Sequence, residues 1–220
     1  MTADRPYQDR RAAGRVLAQN PALAHASDDP IVLALPRGGV PVADEIATAI
    51  RAPLDVFLVR KLGLPGQPEL AMGALASGGI RVLDEHLIES ADVTPEELSI
   101  VVKRETEELE RREELYRRGR PPLALAGRSV IVVDDGLATG FTMRAAIAAL
   151  RRAGCRQLAV AVPVGARSTC ADLAKEVDAL VCPLQPEPFH AVGLWYEDFS
   201  PTEDAEVCAC LARHADRSAA

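Results

Sequence analysis

Aromatic side chains are scarce, at 4% of 220 residues. Burial therefore falls to Ala, Val and Leu, short aliphatic side chains that suit helices packed on a sheet. Positive charge is also in short supply. Lys and Arg number 25 against 32 Asp and Glu, a net charge of −7. That excludes the broad basic footprint that nucleic acid or an anionic membrane needs, though not a local basic pocket. No apolar run approaches the roughly 20 residues of a membrane span. Met1-Thr2-Ala3-Asp4-Arg5 lacks the apolar core of a leader peptide, so the chain reads as cytoplasmic. The five cysteines are odd in number, and none forms a CxxC pair with histidines at zinc spacing. Reduced thiols are the expectation.

What is present is ordinary for a soluble protein with a full core: 48% apolar and 26% charged residues. Length allows one domain spanning 1–220. Strand-like runs at 31–35 and 54–59 bracket a helical stretch at 40–51, after a first helix over 7–19. A strand at 129–133, a helix at 140–153 and strands at 158–162 and 179–182 repeat that order. Alternation of this kind predicts an α/β fold on a parallel sheet. The middle differs. Gly78-Gly79 between apolar runs predicts a β-hairpin. Thr94, Pro95 and Glu97 predict a capping box opening a long charged helix to Arg118. Glu107 with Arg111, Glu108 with Arg112 and Glu114 with Arg118 stand at i,i+4 spacing on it. Gly154 sits where a left-handed helix end is expected.

The richest stretch is Val130-Ile131-Val132-Val133-Asp134-Asp135-Gly136-Leu137-Ala138-Thr139-Gly140-Phe141-Thr142. An apolar strand ends in two carboxylates, then a small-residue loop, then a helix start. Phosphate suits the loop, because small residues let it approach backbone N–H groups at a helix N-terminus. Ionised carboxylates only accept hydrogen bonds, so they suit hydroxyls or a divalent cation instead. A ligand with a phosphate at one end and ribose hydroxyls in the middle satisfies both. The alternative, a turn with a solvated Asp pair, leaves the small loop and both threonines unexplained. No Gly-Lys-Ser/Thr follows, so this is not a Walker loop.

Pro36-Arg37-Gly38-Gly39 follows the first strand at the same sheet edge. Two glycines and an arginine can hold a second anion, with a plain turn as the alternative. Arg60-Lys61, taken alone, reads as a solvated basic pair before the Gly/Pro-rich stretch at 63–68. Near the C-terminus Phe189, His190, Trp195 and Tyr196 cluster ahead of Glu197-Asp198, and a packed strand would explain any one of these aromatics.

These motifs resemble the type I phosphoribosyltransferases, and the resemblance covers nearly the whole chain. It is strongest to a branch with unassigned acceptors that shares the Leu-Pro-Arg-Gly-Gly, Arg-Lys-Leu-Gly and Asp-Asp-Gly-Leu-Ala-Thr-Gly segments. It implies a Rossmann-like parallel sheet with a small hood and a hairpin/long-helix insertion. The core would lie at about 25–61 and 125–185, the insertion with a flexible loop at about 62–122, and the hood at about 186–212. It implies transfer of a phosphoribosyl group from phosphoribosyl pyrophosphate (PRPP) to an acceptor nitrogen, with Mg2+ and release of pyrophosphate.

By resemblance Asp134 and Asp135 hold the ribose hydroxyls. Gly136, Leu137, Ala138, Thr139, Gly140, Phe141 and Thr142 bind the phosphate. Arg37, Gly38, Gly39, Arg60 and Lys61 face pyrophosphate, with Arg37 and Lys61 catalytic beside the Asp pair and a cis bond expected at Arg37-Gly38. Phe189, Trp195 and Tyr196 face the acceptor, and Glu197 joins Asp134 and Asp135 at the metal. Ala138 stands where hypoxanthine-guanine enzymes carry an aspartate, which disfavours a 6-oxopurine. A homodimer is expected. A non-enzymatic PRPP sensor, or an inactive partner subunit, is the competing reading.

Overall fold

In chain order the elements are α1 (Arg10–Ala18), α2 (Pro21–Ala24), β1 (Pro30–Ala34), α3 (Gly39–Ile50), β2 (Leu54–Val56) and β3 (Val59–Leu64). Next come β4 (Gln67–Ala76), β5 (Ile80–Leu83), α4 (Glu85–Ser90), α5 (Pro95–Arg117) and β6 (Ser129–Val133). The chain ends with α6 (Phe141–Arg152), β7 (Gln157–Ala161), α7 (Arg167–Leu173), β8 (Ala179–Val181) and α8 (Asp204–Arg213). This computed structural model describes residues 7–24, 29–120 and 123–215. The Met1-to-Arg5 stretch read for a leader lies outside them.

Five strands form a wholly parallel sheet in the order β2-β1-β6-β7-β8. Alternate side chains of each strand enter different cores. Val32, Ala34, Ile131 and Val133 pack towards α3 and α8. Ile31, Leu33, Val130 and Val132 pack towards α6. Burial on both faces explains why β1 and β6 read as continuous apolar runs and not as alternating ones. From β1 the chain winds outward to β2, and from β6 it winds the other way to β7 and β8. The order therefore reverses between β1 and β6, and a crevice opens at their carboxyl ends.

A second, antiparallel sheet runs β3-β4-β5, with Gly78 and Gly79 at positive φ in the predicted hairpin turn. The Gly/Pro-rich stretch at 63–68, within the insertion expected to carry a flexible loop, is not an irregular loop. Leu64 pairs with Gln67, so β3 and β4 form a long hairpin and Pro65-Gly66 is only its turn. Irregular register at Gly63 accommodates the glycine within the strand. The expected strand at 54–59 is likewise two strands in different sheets.

Helix α5 begins with the predicted capping box: Thr94 accepts from the Glu97 N–H, and Glu97 accepts from the Thr94 N–H. Of its expected ion pairs, Glu108–Arg112 forms. Arg111 turns to Glu108 instead of Glu107. Arg118 is a left-handed cap, where its backbone N–H binds the Glu114 carbonyl. Val101, Leu109 and Tyr116 bury one stripe of the helix, and Arg117 pins its end to Asp55 on β2. Gly154 adopts φ 77 after α6, as expected. Among the described residues no helix is long and apolar enough to cross a membrane.

Candidate active site

Two loops meet at the crevice. The first follows β1, and the Leu35 N–H donates to the Val133 carbonyl (2.9 Å), tying this loop to the end of β6. The Pro36–Arg37 bond is cis, one residue earlier than the Arg37–Gly38 bond expected. Gly38 then passes so close to Asp135 that a Cβ there would lie 1.9 Å from Oδ2. Only glycine fits, because any side chain would displace the carboxylate. Arg37 is exposed and pairs with Asp204 at the start of α8 (3.6 Å). Asp204 also accepts from the Tyr116 hydroxyl (2.6 Å).

The second loop follows β6. Asp134 accepts from the Asp135 N–H (2.8 Å). Asp135 accepts from Arg10 Nε of α1 (2.8 Å), and its own carbonyl accepts from the Tyr196 hydroxyl (2.5 Å). At Gly136 a Cβ would lie 2.3 Å from Val192, so the C-terminal segment presses directly on the loop. Leu137 departs from the role expected of it. Its side chain is buried and its N–H donates to the Val164 carbonyl (2.9 Å), which leaves that N–H unable to hold a phosphate. It acts as a peg instead. Ala138, anchored through its carbonyl by Thr169 (2.8 Å), is exposed, as are Thr139, Phe141 and Thr142. The first turn of α6, entered through Gly140, has N–H groups without intrahelical partners and points its positive end at this loop.

Electrostatics mark the pair. Burial and the neighbouring Asp135 charge push the Asp134 carboxyl well above its ordinary value. Burial raises Asp135 as well, while Arg10 pulls it back. Two carboxylates this close to one another favour holding a cation or hydroxyl donors between them.

Other expected members fall elsewhere. Arg60 and Lys61 do not end a core strand but lie on β3. Arg60 gives two hydrogen bonds to Glu105 of α5 (2.9 and 2.6 Å), so its charge is spent on anchoring the hairpin. Lys61 reaches the exposed Glu69 across the hairpin (3.4 Å). Tyr196 is buried, with its ring against Tyr7 and Phe199, which makes it a support of the acidic loop and not an acceptor platform. Phe189 and Trp195 are partly buried in the same cluster. No group of three or more His, Cys, Asp or Glu side chains gathers in metal-binding fashion among the described residues.

Two oxygen donors still fit Mg2+, which commonly takes one or two protein carboxylates and completes its shell with substrate phosphates and water. Sequence reasoning missed Arg10. It lies 125 positions from its partner, and an arginine at a helix start carries no local mark of where it reaches.

Comparison with known proteins identifies the family. The model of the phosphoribosyl transferase domain matches residues 10–188. The chain belongs to the phosphoribosyltransferase family. Two Mycobacterium tuberculosis proteins, each named "Putative phosphoribosyl transferase", are 45% identical over 208 residues, 94% of this chain. This phosphoribosyltransferase chain covers 46% of their length, so it spans about half of the curated relatives it matches. The crystal structure of TT1426 from Thermus thermophilus superposes with a TM-score of 0.84 at 43% identity, covering 94% of this chain and 98% of that one. Phosphoribosyltransferases typically use Mg2+ with PRPP.

Proposed function

We propose that the protein transfers the phosphoribosyl group of PRPP to an acceptor nitrogen and releases pyrophosphate. The carrying observation is the contact between Gly38 and the Asp135 carboxylate. It gives the two loops a common wall, so one ligand can touch both. Asp134 and Asp135 accept hydrogen bonds from the ribose hydroxyls. The 5-phosphate sits on the N-terminal turn of α6, held by backbone N–H groups from Ala138 to Thr142 and by the Thr139 and Thr142 hydroxyls. Arg37 and the Gly38-Gly39 backbone face the pyrophosphate, with Lys61 joining as the β3–β4 hairpin closes.

In the reaction the C1–O bond to pyrophosphate breaks, its electron pair leaves on the pyrophosphate, and the acceptor nitrogen bonds C1. Positioning and stabilisation of the leaving charge carry the catalysis. Mg2+, held by Asp134 and Asp135, supplies counter-charge to the pyrophosphate when bound. Ala138 offers no carboxylate to a base, which argues against a 6-oxopurine acceptor. Phe189 and Trp195 mark the acceptor side, and two copies associating through the long α5 helix account for its length.

Calorimetry with PRPP and Mg2+ tests binding, and a pyrophosphate-release assay against a panel of nucleobases and amines tests transfer. Binding in the micromolar range with release for at least one acceptor is the expected result. PRPP bound with no release for any acceptor would leave a sensor and remove the transferase.

A further inference from the structure

Arg10 is held from four sides. Its Nε donates to Asp135 Oδ2 at 2.8 Å, and its Nη1 donates to the Ser200 carbonyl at 2.8 Å. The guanidinium carbon lies 3.9 Å from the centre of the Phe199 ring. On the remaining side is the first loop, where a Cβ on Gly38 would be 3.3 Å from Arg10 Nε. Its side chain is only 11% exposed. A surface arginine that merely caps a helix would not be seated so completely, and its rotamer freedom has been given up to fix one charge in one place.

That place is the seam between the acidic pair and the Arg37-Gly38-Gly39 loop. In the proposed reaction a polyanion binds there beside two carboxylates, and like charges at such separations repel strongly in a partly buried setting. One carboxylate must be neutralised without losing its acceptor capacity for the ribose. A guanidinium on Oδ2 does that while leaving Oδ1 available.

Resting on the PRPP reading of this site, we infer that Arg10 is the positioning residue of the acidic pair. It fixes the Asp135 carboxylate for the ribose hydroxyls and offsets that carboxylate's charge where the polyanion binds. The α1 helix thereby belongs to the binding site, although it lies outside both ligand-facing loops.

The test compares wild-type protein with Arg10→Gln, Arg10→Lys, Asp135→Asn and the Arg10→Gln/Asp135→Asn double variant. PRPP affinity in the presence of Mg2+ is read by calorimetry, and thermal midpoints are recorded alongside. Arg10→Gln should weaken PRPP binding at least tenfold with a midpoint within a few degrees of wild type, and Arg10→Lys should recover most of the loss. In the Asp135→Asn background the same Arg10→Gln change should cost twofold or less, because its target is gone. Arg10→Gln binding PRPP within twofold of wild type would overturn the inference while leaving the PRPP reading intact, as would a full loss persisting in the Asp135→Asn background. Wild-type protein that binds no PRPP would overturn both. If Arg10→Gln fails to fold, Arg10→Lys against Asp135→Asn decides. A lysine variant that folds yet binds as poorly as Asp135→Asn would then refute a role as charge carrier, and near-wild-type binding would support it.

Discussion

Arg10 and Arg11 are neighbours on α1, and each serves an aspartate, half-buried Asp135 and buried Asp44, but the two acids are treated in opposite ways. Asp44 on α3 is surrounded: Arg11 reaches it at 2.8 Å, His214 Nε2 at 2.9 Å, and Arg213 also bonds it. Burial alone would raise its carboxyl, yet His214, Arg213 and Arg11 outweigh that and hold it below the ordinary carboxylate range. Among the described residues the Asp134–Asp135 pair has a single arginine for two carboxylates, and both are raised. Asp44 is over-supplied with partners. The acid pair at the crevice is left short of them, which is the condition of a site that expects a ligand to supply the rest.

The largest effect should come from breaking the saturated site. Asp44→Ala leaves Arg11, Arg213 and the buried His214 without their common anion and unties α1, α3 and α8. Loss of one partner from a buried charge cluster costs about 3 kcal/mol or more, read as a lowered midpoint in urea. Because the Asp44 pKa is depressed on folding, its contribution is present above the unfolded value of about 4 and is lost as pH falls through the folded one. The wild-type protein should therefore destabilise on acidification, and Asp44→Ala should show less of that acid-induced loss. An unchanged urea midpoint in the variant would remove the contrast.

Next in size is the converse change at the crevice. The Asp134→Asn/Asp135→Asn double variant loses two charged acceptors for ribose hydroxyls, each worth about 1.5–3 kcal/mol. PRPP affinity should fall by roughly 100-fold or more, with the fold retained. Undiminished binding would take the pair out of the site.

Much of this was legible in the sequence because it is local. The β6 strand, the Asp134-Asp135 pair, the small loop and the α6 start lie within one short run, as does the Thr94–Glu97 capping box. The failures are tertiary. Nothing beside Arg60 announces Glu105, 45 positions away, so a structural ion pair read as an anion site. Leu137 sits inside a motif whose pattern promises free N–H groups, and only the neighbouring end of β7 shows that this one is spent on Val164. The Gly/Pro content at 63–68 looked like a flexible loop because the strand pairing that overrides it runs across to β4. The Tyr196 ring was visible as an aromatic, but its burial behind Asp135 depends on Tyr7 arriving from the other end of the sequence and on Phe199 folding back onto it.

The smallest expected effect is also the one that tests the contrast most sharply, because its sign reverses. Asp134→Asn alone keeps an oxygen for the Asp135 N–H and removes a charge that burial and Asp135 both disfavour. A carboxyl raised on folding takes up its proton in the native state before the unfolded chain does, so the wild-type protein gains stability from it as pH falls from neutral. At neutral pH that gain is absent and the charge is a net cost. Asp134→Asn should therefore raise stability at neutral pH, by less than the effects above. The advantage should shrink as pH approaches about 4 and the wild-type carboxyl protonates. Thermal midpoints followed from about pH 7.5 down towards the unfolded value of about 4 read the effect. A variant less stable than wild type throughout would mean that Asp134 is as well supplied as Asp44, and the distinction between the two acids would collapse.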